Sequence, residues 1–389
     1  MIDISYKKEQ CCGCSACYSI CPKNAISMVE DEKGFKYPKV DKTLCIQCGL
    51  CDKACAFSKE QQFYFNAQPL AAYAVKHKDE GIRKSSRSGG VFTAVTDYVL
   101  QKGGCIYGAA IDVDFTVKHI KAENAEQRDR MRGSKYVQSD MNDIYRDVKK
   151  ELATGRLVVF SGTGCQVAGL RSFLMRDYEN LIAIDLICHG VPSPKVWKDY
   201  IKLLQKKFHN RISEVQFRDK EFLGWDLHLE SFKIGNNKIY ERGYTNLFYS
   251  NHILRDSCFN CKYTNMCRTG DFTLADFWGI DKMIQGFNDN KGVSLFFVNS
   301  RKGEEIFRES SIRDCIHFVE CPSFDFVHPN LKHAEPRPKD IDAFWEDYIR
   351  NGIKKVLNKY GGNSFVNKMK RMKLYTIIFV KRKIIYKRR

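Results

Sequence analysis

Two runs of cysteines near the start of the chain share one spacing. Each run follows the pattern C-x2-C-x2-C-x3-C, and the second run begins 34 residues after the first. Gaps of two residues let a tight loop wrap three thiolates around one iron–sulfur cubane, and a fourth thiolate must come from elsewhere. The spacing therefore predicts a small module that holds two [4Fe–4S] clusters. The runs are Cys11, Cys14, Cys17 and Cys21, and then Cys45, Cys48, Cys51 and Cys55.

We expect the fourth cysteine of each run to serve the other cluster, as in bacterial two-cluster ferredoxins. Residues 26–38, between the runs, predict a short hairpin, because two apolar stretches flank a polar turn. Paired zinc knuckles and a disulfide knot are the alternatives. Zinc sites take two pairs of ligands, and disulfides imply secretion. The predicted ligand sets are Cys11, Cys14, Cys17 and Cys55 for one cluster, and Cys45, Cys48, Cys51 and Cys21 for the other.

The length and composition predict more than this module. A chain of 389 residues with 43% hydrophobic content can bury a second, larger core. It has no run of about 18 uncharged apolar residues, and its first residues are polar, so we expect neither export nor a membrane span. Seventeen cysteines then indicate metal binding in a reducing cytoplasm. We predict a ferredoxin domain at 1–60, a linker at 61–69, a large domain at 70–330, a helical extension at 331–363 and a basic tail at 364–389.

The positive charge is concentrated in the tail. Of a net charge of +18, ten Lys or Arg lie in residues 364–389, where no acidic residue occurs. Basic clusters flank the apolar stretch 374–380, which is too short to span a bilayer. We expect either peripheral contact with the inner face of a membrane or a solvated tail. Nucleic acid is not an expected partner, because no nucleic-acid reader fold accompanies the charge.

The large domain shows two successive strand–loop–helix units. Buried strands are predicted at 157–160 and 181–187, and each is followed by a loop that contains a cysteine, Cys165 or Cys188. In open α/β sheets, ligands bind at this carboxyl edge of the strands. The chain then becomes rich in strands, which supports an α/β or α+β fold with a β-rich C-terminal part. The later strands are predicted at 212–217, 226–234, 238–241 and 293–298.

Further cysteines of this domain are flanked by glycine or by turn residues. Loops that approach an inorganic cluster have this character, so four of these thiols can supply a third cubane, with Cys267 as an extra candidate. Buried structural cysteines are the alternative. The remaining thiols, at positions 12, 105, 315 and 321, are interpreted as core or incidental residues. The four candidate ligands are Cys165, Cys188, Cys258 and Cys261.

A loop rich in Ser and Gly, residues 84–90, precedes a predicted helix at 91–101. Free backbone N–H groups and the helix dipole make such a loop a candidate phosphate cradle. A simple N-cap role for Ser88 is the alternative. His189 is a candidate proton donor, because imidazole titrates near neutral pH, and a loop-structuring hydrogen bond is its alternative role. Asp276, beside two aromatic residues, is interpreted either as part of the site or as turn chemistry.

Six motifs of the chain occur in an order that resembles a known family. Together they are similar to the beta subunit of coenzyme F-420 hydrogenase/dehydrogenase, preceded by a ferredoxin domain. The resemblance covers roughly residues 1 to 330, and Gly164 stands where relatives commonly have proline. The motifs are Ser88-Gly89-Gly90, residues 133–136, 162–166 and 185–193, Cys258-x2-Cys261, and residues 275–279.

The resemblance implies that the large α/β domain binds a flavin, usually FAD. Iron–sulfur clusters would pass single electrons to it, and the flavin would exchange a hydride with a substrate such as the deazaflavin coenzyme. Carried over, the third [4Fe–4S] cluster would be held by Cys165, Cys188, Cys258 and Cys261. The flavin and its phosphates would be lined by Ser88, Gly89, Gly90, Ser134, Lys135 and Thr163.

We therefore expect an iron–sulfur flavoprotein oxidoreductase. A ferredoxin or another low-potential donor would supply electrons, and a small-molecule or lipid-linked substrate would be reduced or oxidised. The fold class follows as a small two-cluster ferredoxin-like domain before a larger α/β flavin-binding domain. The alternative is an electron-transfer subunit of a hydrogenase or dehydrogenase complex, without a substrate of its own. A zinc-binding scaffold is a second alternative.

Overall fold

The computed structural model describes residues 8–57 and 68–362, together with the single positions 369 and 376. The predictions for the basic tail and for most of the linker at 61–69 therefore fall outside the described residues. The predicted domain boundaries stay predictions. Among the helices in the described ranges, none is both long enough and apolar enough to cross a membrane.

The cysteine-rich segment contains the same loop–helix unit twice, with a hairpin between the two copies. Helix α1 (Ala16–Ile20) follows the first cysteine loop and helix α2 (Leu50–Lys53) follows the second. Strands β1 (Ile26–Glu30) and β2 (Lys36–Val40) pair in antiparallel register. The predicted hairpin between the two runs is thus confirmed.

The helix predicted at 91–101 has the observed bounds. Helix 91–101 starts after Gly90, and helix 194–208 starts with Pro194 after the N-cap Ser193, whose side chain accepts from the Val196 N–H. These are ordinary N-terminal signals. The strands are β3 (Ala71–His77), β4 (Cys105–Ile111), β5 (Val117–Ala122), β6 (Val158–Thr163), β7 (Leu181–Leu186), β8 (Ile212–Gln216), β9 (Glu230–Ile234), β10 (Asn237–Glu241), β11 (Phe272–Asp276), β12 (Ser294–Val298) and β13 (Ile316–Glu320). The helices are α3 (Glu80–Ser85), α4 (Val91–Gln101), α5 (Ala125–Asp129), α6 (Ile144–Ala153), α7 (Gly164–Leu174), α8 (Pro194–Phe208), α9 (Gly243–Tyr249), α10 (Arg301–Phe307), α11 (Ser310–Arg313) and α12 (Ile341–Lys359).

Eight strands form one mixed sheet in the order β13-β3-β12-β11-β7-β6-β4-β5. The central pairs β11–β7, β7–β6 and β6–β4 are parallel, and the outer pairs are antiparallel. This arrangement confirms a mixed α/β architecture. The predicted β-rich part divides between two sheets, because β11, β12 and β13 join the large sheet while β8, β9 and β10 form a three-stranded one. The predicted strand 226–234 begins only at Glu230.

Helices cover both faces of the large sheet. Along β6, Val159 packs into the core cluster of α4, whereas Val158 and Phe160 pack into the cluster of α6 and α7. Both alternating sets of side chains are therefore buried, as expected for a parallel strand inside an α/β sheet. Burial on both faces explains why the predicted strand at 157–160 is apolar at every position and does not alternate with polar residues.

The register of the two central strands decides where the site forms. Thr163 at the end of β6 lies opposite Leu186 at the end of β7. Cys165 and Cys188 each follow two residues later, so both lie at the carboxyl edge of the sheet. This is the position predicted from the two strand–loop–helix units.

The cysteine-rich segment packs against the large sheet's helices and loops. Arg146 of α6 donates to the carbonyl oxygens of Ser19 and Tyr18, at 2.9 and 3.0 Å. The N-cap hydroxyl of Ser193 donates to the Lys33 carbonyl at 2.5 Å. These contacts hold the first cysteine loop beside the carboxyl edge.

Candidate functional site

Each predicted ligand set of the cysteine-rich segment lines one small cavity. The inner cysteine cavity, of about 350 Å³, contains the first three cysteines of the first run and the last cysteine of the second. The outer cysteine cavity, of about 440 Å³, contains the opposite set. The predicted exchange of fourth cysteines is thus the observed grouping, while the role of each thiol as a ligand stays a prediction. The inner set is Cys11, Cys14, Cys17 and Cys55, and the outer set is Cys21, Cys45, Cys48 and Cys51.

The two cysteine loops also share their backbone conformation. In the first loop Gly13 and Ser15 have φ values of 68° and 67°, and in the second Gln47 and Gly49 have values of 57° and 71°. These left-handed residues stand at the same two positions after the first cysteine. Tight turns of this kind direct backbone N–H groups to the concave side, as iron–sulfur sites require. The repeat in the sequence is therefore a repeat in three dimensions.

A third cysteine cavity, of about 490 Å³, lies at the carboxyl edge of the large sheet. Two of its cysteines follow β6 and β7, and the other two lie in and just after a 3₁₀ turn, Asp256–Asn260. The Val191 N–H donates to the sulfur of Cys258 at 3.4 Å. Among the described residues that line this cavity Cys267 does not occur. All four predicted ligands of the third cluster do line this cavity: Cys165, Cys188, Cys258 and Cys261.

The thiols of the third cavity are held together away from water. Burial, followed by the nearby Cys258, raises the pKa of Cys188 well above its usual value. Burial likewise raises the pKa values of Cys258 and Cys261 to about 12. Such thiols ionise when they bind a cationic centre, and four of them around one cavity suit a [4Fe–4S] cluster. Nowhere in the described ranges are three His, Cys, Asp or Glu side chains spaced for a single metal ion.

Cys12 lies between the inner and the third cysteine cavities. Its side chain is almost fully buried, and the neighbouring Cys14 and Cys165, together with burial, raise its pKa well above the usual value. Among the described residues, Cys12 and Phe57 line both cavities, so the two spaces are neighbours. The sequence interpretation of Cys12 as a core or incidental residue agrees with its burial, but its position between two cavities was not predicted.

Arg255 places a buried positive charge beside the inner cavity. Its side chain is completely buried, its Nε donates to the Cys11 carbonyl at 2.6 Å, and its Nη2 lies 3.6 Å from the Cys11 sulfur. Nη1 donates to Gln138 at 3.0 Å. Since Arg255 precedes Cys258 by one turn, this side chain also ties the loop of the third cavity to the cysteine-rich segment.

A large cavity, of about 1860 Å³, adjoins the third cysteine cavity along the carboxyl edge. The two spaces share lining residues, among them Thr163, Cys188 and His189. This volume includes space open to solvent, and clefts of this kind are where cofactors and small molecules bind. The predicted flavin residues on its wall are Ser88, Gly90, Ser134, Lys135 and Thr163.

Gly89, the sixth predicted flavin residue, lies behind this wall. Its N–H donates to the Ser294 hydroxyl at 2.9 Å, and a Cβ at this position would lie 1.9 Å from the Val75 carbonyl oxygen. Gly89 therefore lets the loop pass close to β3 and β12. The prediction that Gly89 itself lines the cofactor pocket is not met by this arrangement.

The amino-terminal end of α4 faces the large cavity. Its N-cap is Gly90, which offers no side-chain hydrogen bond, and Val91 and Phe92 of the first turn also line the cavity. The Ser88 hydroxyl donates instead to the Val293 carbonyl at 2.6 Å. The alternative that Ser88 is an N-cap is therefore wrong. A helix end without a capping side chain is suited to bind a phosphate.

Two further polar groups line the cavity. Burial lowers the pKa of Lys135 to about 7, and its Nζ donates to the Arg132 carbonyl at 2.9 Å. Burial lowers the pKa of His119 to about 4, so this ring is neutral near pH 7. Because Nε2 of His119 meets the Ser161 carbonyl, its Nδ1 is left as a buried acceptor without a partner. Sequence reasoning did not single out His119.

His189 is held by hydrogen bonds at both ring nitrogens. Nδ1 lies 3.0 Å from a carboxylate oxygen of Glu335, and Nε2 lies 2.8 Å from the Asn251 side-chain oxygen. The hydrogen bond from His189 lowers the pKa of Glu335 to about 2, so this carboxylate is ionised. These hydrogen bonds hold the loop after β7 in place. They agree with the alternative role of His189, a hydrogen bond that structures the loop. A catalytic role for His189 stays a prediction.

Comparisons with known protein families match two separate parts of the chain. Residues 10–59 match the model of the 4Fe-4S dicluster domain. Residues 155–323 match the model of the C-terminal part of the beta subunit of coenzyme F420 hydrogenase/dehydrogenase. Residues 155–323 are therefore similar to the C-terminal part of that beta subunit, and they follow a segment similar to a two-cluster ferredoxin domain. The resemblance seen in the sequence motifs is thereby confirmed.

Three known proteins are similar to this chain. A coenzyme F420-dependent sulfite reductase of Methanocaldococcus jannaschii is 26% identical over 321 residues, which are 80% of this chain and 47% of that protein. The chain thus spans about half the length of that relative. An uncharacterized ferredoxin of the same organism is 32% identical over 83 residues, 21% of this chain and 96% of the ferredoxin. A chain of the F420-reducing [NiFe] hydrogenase complex from Methanosarcina barkeri aligns with a TM-score of 0.48 and 16% identity, over 75% of this chain and 91% of that one.

The structure brings together most of the predicted site. All twelve predicted cysteine ligands line three cavities, in the predicted sets. Sequence reasoning missed Cys12, His119, Arg255 and Glu335. A signal was available only for Cys12, which is adjacent to a predicted ligand. The other three act through long-range contacts.

Proposed function

We propose that this protein relays single electrons from a low-potential donor, through two ferredoxin clusters and a third cluster, to a flavin in the large cavity. The flavin would then reduce, or oxidise, an organic substrate by hydride transfer. One observation carries the proposal. The inner cysteine cavity, the third cysteine cavity and the large cavity are contiguous, because each shares lining residues with the next.

Contiguity matters because electrons move between centres that lie close together. Cys12 and Phe57 are the shared residues at the first step. Cys188 and its neighbours are shared at the second step. The donor would meet the outer cavity, where Cys48 is exposed to solvent. The substrate would meet the large cavity at the other end.

The large cavity has groups that suit a flavin with phosphates, and we propose FAD. The α4 N-terminus offers backbone N–H groups, and Lys135 lies in the same wall without an acidic partner in its hydrogen bonds. His119 offers a lone pair inside the cavity. A bound flavin would supply the exchange between one-electron and two-electron chemistry, and the protein would supply binding and orientation.

A second candidate is an electron-transfer subunit that has no substrate of its own. The family description names a beta subunit, and the chain spans about half of the sulfite reductase relative. In that case the large cavity would close against a partner hydrogenase or dehydrogenase subunit. A ferredoxin would remain the donor in both candidates.

Cofactor content separates the two candidates. The protein would be purified without oxygen, and iron, acid-labile sulfide and flavin would be counted per chain. We expect about twelve iron atoms, from three cubanes, and one FAD. About eight iron atoms without flavin would contradict the proposal and favour the relay subunit. Zinc in place of iron would contradict both.

Turnover supplies the second test. The purified protein would receive dithionite-reduced ferredoxin and a panel of organic acceptors, with no partner subunit. Oxidation of ferredoxin that depends on an acceptor supports the oxidoreductase. Oxidation only after a hydrogenase or dehydrogenase partner is added supports the relay subunit.

The basic tail at 364–389 carries a separate proposal of peripheral membrane contact. Vesicles with anionic lipids would be floated with the full chain and with a version that ends at Gly361. Flotation of the full chain alone supports the contact. If both versions stay in the soluble fraction, the tail is a solvated segment.

A further inference from the structure

One wall of the large cavity carries a cluster of cations and aromatic rings that the proposed function does not use. Arg87, Arg218 and Trp278 all line this wall, and Asp276 lies between the two arginines. Asp276 and Trp278 belong to the motif at 275–279, whose role the sequence left open. We refer to these four residues as the arginine wall.

The arginine wall holds more positive than negative charge. Arg87 Nη2 lies 3.1 Å from Asp276 Oδ2, and Arg218 Nη1 lies 4.0 Å from the same oxygen. The two arginine side chains are only 8% and 4% exposed. Two buried cations therefore share one carboxylate, and the unbalanced charge is costly in a place that water reaches poorly.

The hydrogen-bonding capacity of both arginines is also unfilled. Arg87 has no partner at Nε and Nη1, and Arg218 has none at Nε. Arg218 Nη1 has only long contacts, at 3.4 and 3.5 Å, to the hydroxyls of Tyr136 and Tyr249. Buried N–H groups without partners are unfavourable, and a planar guanidinium group matches the two oxygens of a carboxylate.

Trp278 offers a flat surface beside these cations. It stacks on the buried Trp225, with ring centroids 4.9 Å apart and planes within 8°. The guanidinium carbons of Arg87 and Arg218 lie 5.6 and 5.3 Å from the Trp278 ring centroid. Trp225 Nε1 in turn lies 3.3 Å from Asp276. The tryptophan pair thus fixes both the carboxylate and the aromatic surface.

The surroundings place this wall close to the electron path. Tyr249, which contacts Arg218, packs edge-on against His189 with centroids 5.5 Å apart. His189 directly follows Cys188 of the third cysteine cavity. Burial, followed by the positive charge of Arg87, lowers the pKa of Lys220 to about 7. With two arginines and one carboxylate, this wall carries net positive charge, and its cavity shares lining residues with the third cysteine cavity.

We propose that Arg87, Arg218 and Trp278 form a recognition site for a carboxylate attached to a planar organic group. The substrate's carboxylate would fill the unpaired N–H positions, and its planar part would lie along Trp278. One negative charge would balance the excess charge of the wall. This inference rests on the proposed function, because it assigns the substrate class of the same cavity.

Benzoate is a suitable probe, with benzamide as its neutral counterpart. Both would be titrated calorimetrically into the full-length protein, purified without oxygen. We expect saturable benzoate binding and benzamide binding at least about tenfold weaker, because a charge-assisted hydrogen bond exceeds a neutral one by that much. Equal affinities for both probes would overturn the proposal. Inorganic phosphate binding as tightly as benzoate would overturn the assignment to a planar carboxylate.

Arginine variants test the residues themselves. Arg218→Gln and Arg87→Gln are each expected to weaken benzoate binding about ten- to a hundredfold. The matched control is Arg308→Gln, which removes an exposed arginine paired with Glu304 and should leave the affinity unchanged. Equal affinities in Arg218→Gln and the control would overturn the proposal. Loss of flavin from Arg218→Gln with unchanged benzoate affinity would also overturn it, since the arginines would then bind the cofactor's phosphates.

Asp276→Asn decides the matter even if an arginine variant fails to fold. Asp276 offsets part of the positive charge of Arg87 and Arg218 and repels a second carboxylate, so its neutralisation is expected to tighten benzoate binding about three- to tenfold. A purely structural role of Asp276 predicts weaker or unchanged binding, and either result would overturn the proposal.

Flavin counted on the same samples separates this inference from the proposed function. Benzoate binding in a protein without flavin would support the recognition site and contradict the flavin relay. Bound flavin with no benzoate binding would contradict the recognition site alone.

Discussion

The inner and the third cysteine cavities are assembled in different ways. Three of the four cysteines of the inner cavity come from one loop, residues 11–17, whose backbone alternates into left-handed conformations. The third cavity takes its cysteines from the first turn of α7 directly after β6, from the loop after β7 and from the 256–261 segment. The first arrangement depends on local backbone geometry, and the second depends on the register of a large sheet. The two sites should therefore respond differently to the same kind of change.

The largest expected effect is loss of one cluster without the others. Cys188→Ser should remove the third cluster, about four of about twelve iron atoms, and keep the two ferredoxin clusters. Cys188 lines the third cavity and neither of the ferredoxin cavities. Iron and sulfide analysis, with paramagnetic resonance of the reduced protein, would measure the loss.

Cys315→Ser is the control for this prediction, because Cys315 packs beside the α4 core cluster and lines none of the four cavities. It should retain all of the iron. Retention of twelve iron atoms in Cys188→Ser would show that Cys188 is not a ligand. Loss of all iron would show that the ferredoxin clusters depend on the third site.

The second effect concerns the sheet that supports the third cavity. Asp185, completely buried in β7, pairs with Arg268 at 2.9 Å and accepts from the Thr269 and Gly270 N–H groups. Asp185→Asn removes one partner of a buried ion pair, so we expect a loss of about 3–5 kcal/mol in the free energy of unfolding. Urea unfolding would measure it. Asp177→Asn, at an 86% exposed carboxylate, is the control and should cost under about 1 kcal/mol.

The pH dependence of Asp185 has a defined sign. Burial by itself would raise its pKa, but Arg268 and the hydrogen bonds from Thr273 and the Thr269 N–H hold the pKa below its usual value. The stabilisation is therefore present above the unfolded pKa of about 3.9 and is lost as pH falls through the folded pKa. The difference between wild type and Asp185→Asn should shrink below about pH 4. A constant difference down to pH 3 would contradict the assignment.

The same contrast explains how much of the site could be predicted. Local spacing identified both cysteine runs, and α4 was predicted because its apolar residues recur at helical spacing. The sequence also indicated the carboxyl edge, since β6 and β7 are buried and parallel. Contacts between distant segments were not predictable. Arg255 reaches Cys11 across 244 positions, and no periodicity records such a contact.

The arginine wall was unpredictable for a related reason. Arg87 and Asp276 meet because β11 and β12 pair in antiparallel register beside β3, and this pairing is set by the whole sheet. The motif at 275–279 was visible in the sequence, but its partner lies in the loop before α4. When the residues of one site come from distant segments of the chain, the site can be recognised only after the order of the strands in the sheet is known.

The third effect tests Arg255, which ties the loop of the third cysteine cavity to the inner cysteine cavity. Arg255→Gln removes a buried charge from beside Cys11, so the inner cluster should become harder to reduce. A charge-assisted hydrogen bond of about 1.5–3 kcal/mol corresponds to a fall of roughly 60–130 mV for a one-electron couple. A potentiometric titration followed by paramagnetic resonance would measure the shift.

Arg255→Lys is the matched variant, since it keeps the positive charge and loses the planar geometry. It should shift the potential by less than half as much. The outer cluster is an internal reference, because none of the hydrogen bonds of Arg255 reaches the outer set of cysteines. Equal shifts of both clusters would mean that Arg255 acts through the fold and not through Cys11.

The smallest effect tests whether the two ferredoxin loops are equivalent. Gly49 has a φ of 71°, and Ser15 at the same position of the first loop has a φ of 67°. A serine is therefore accepted in this left-handed position, and Gly49→Ser should cost only about 1 kcal/mol while the outer cluster is retained. Gly49→Asn should cost less, because asparagine tolerates the left-handed region. Thermal loss of the visible cluster absorption would measure both variants, and loss of the outer cluster in either would show that the shared backbone is not sufficient to make the loops interchangeable.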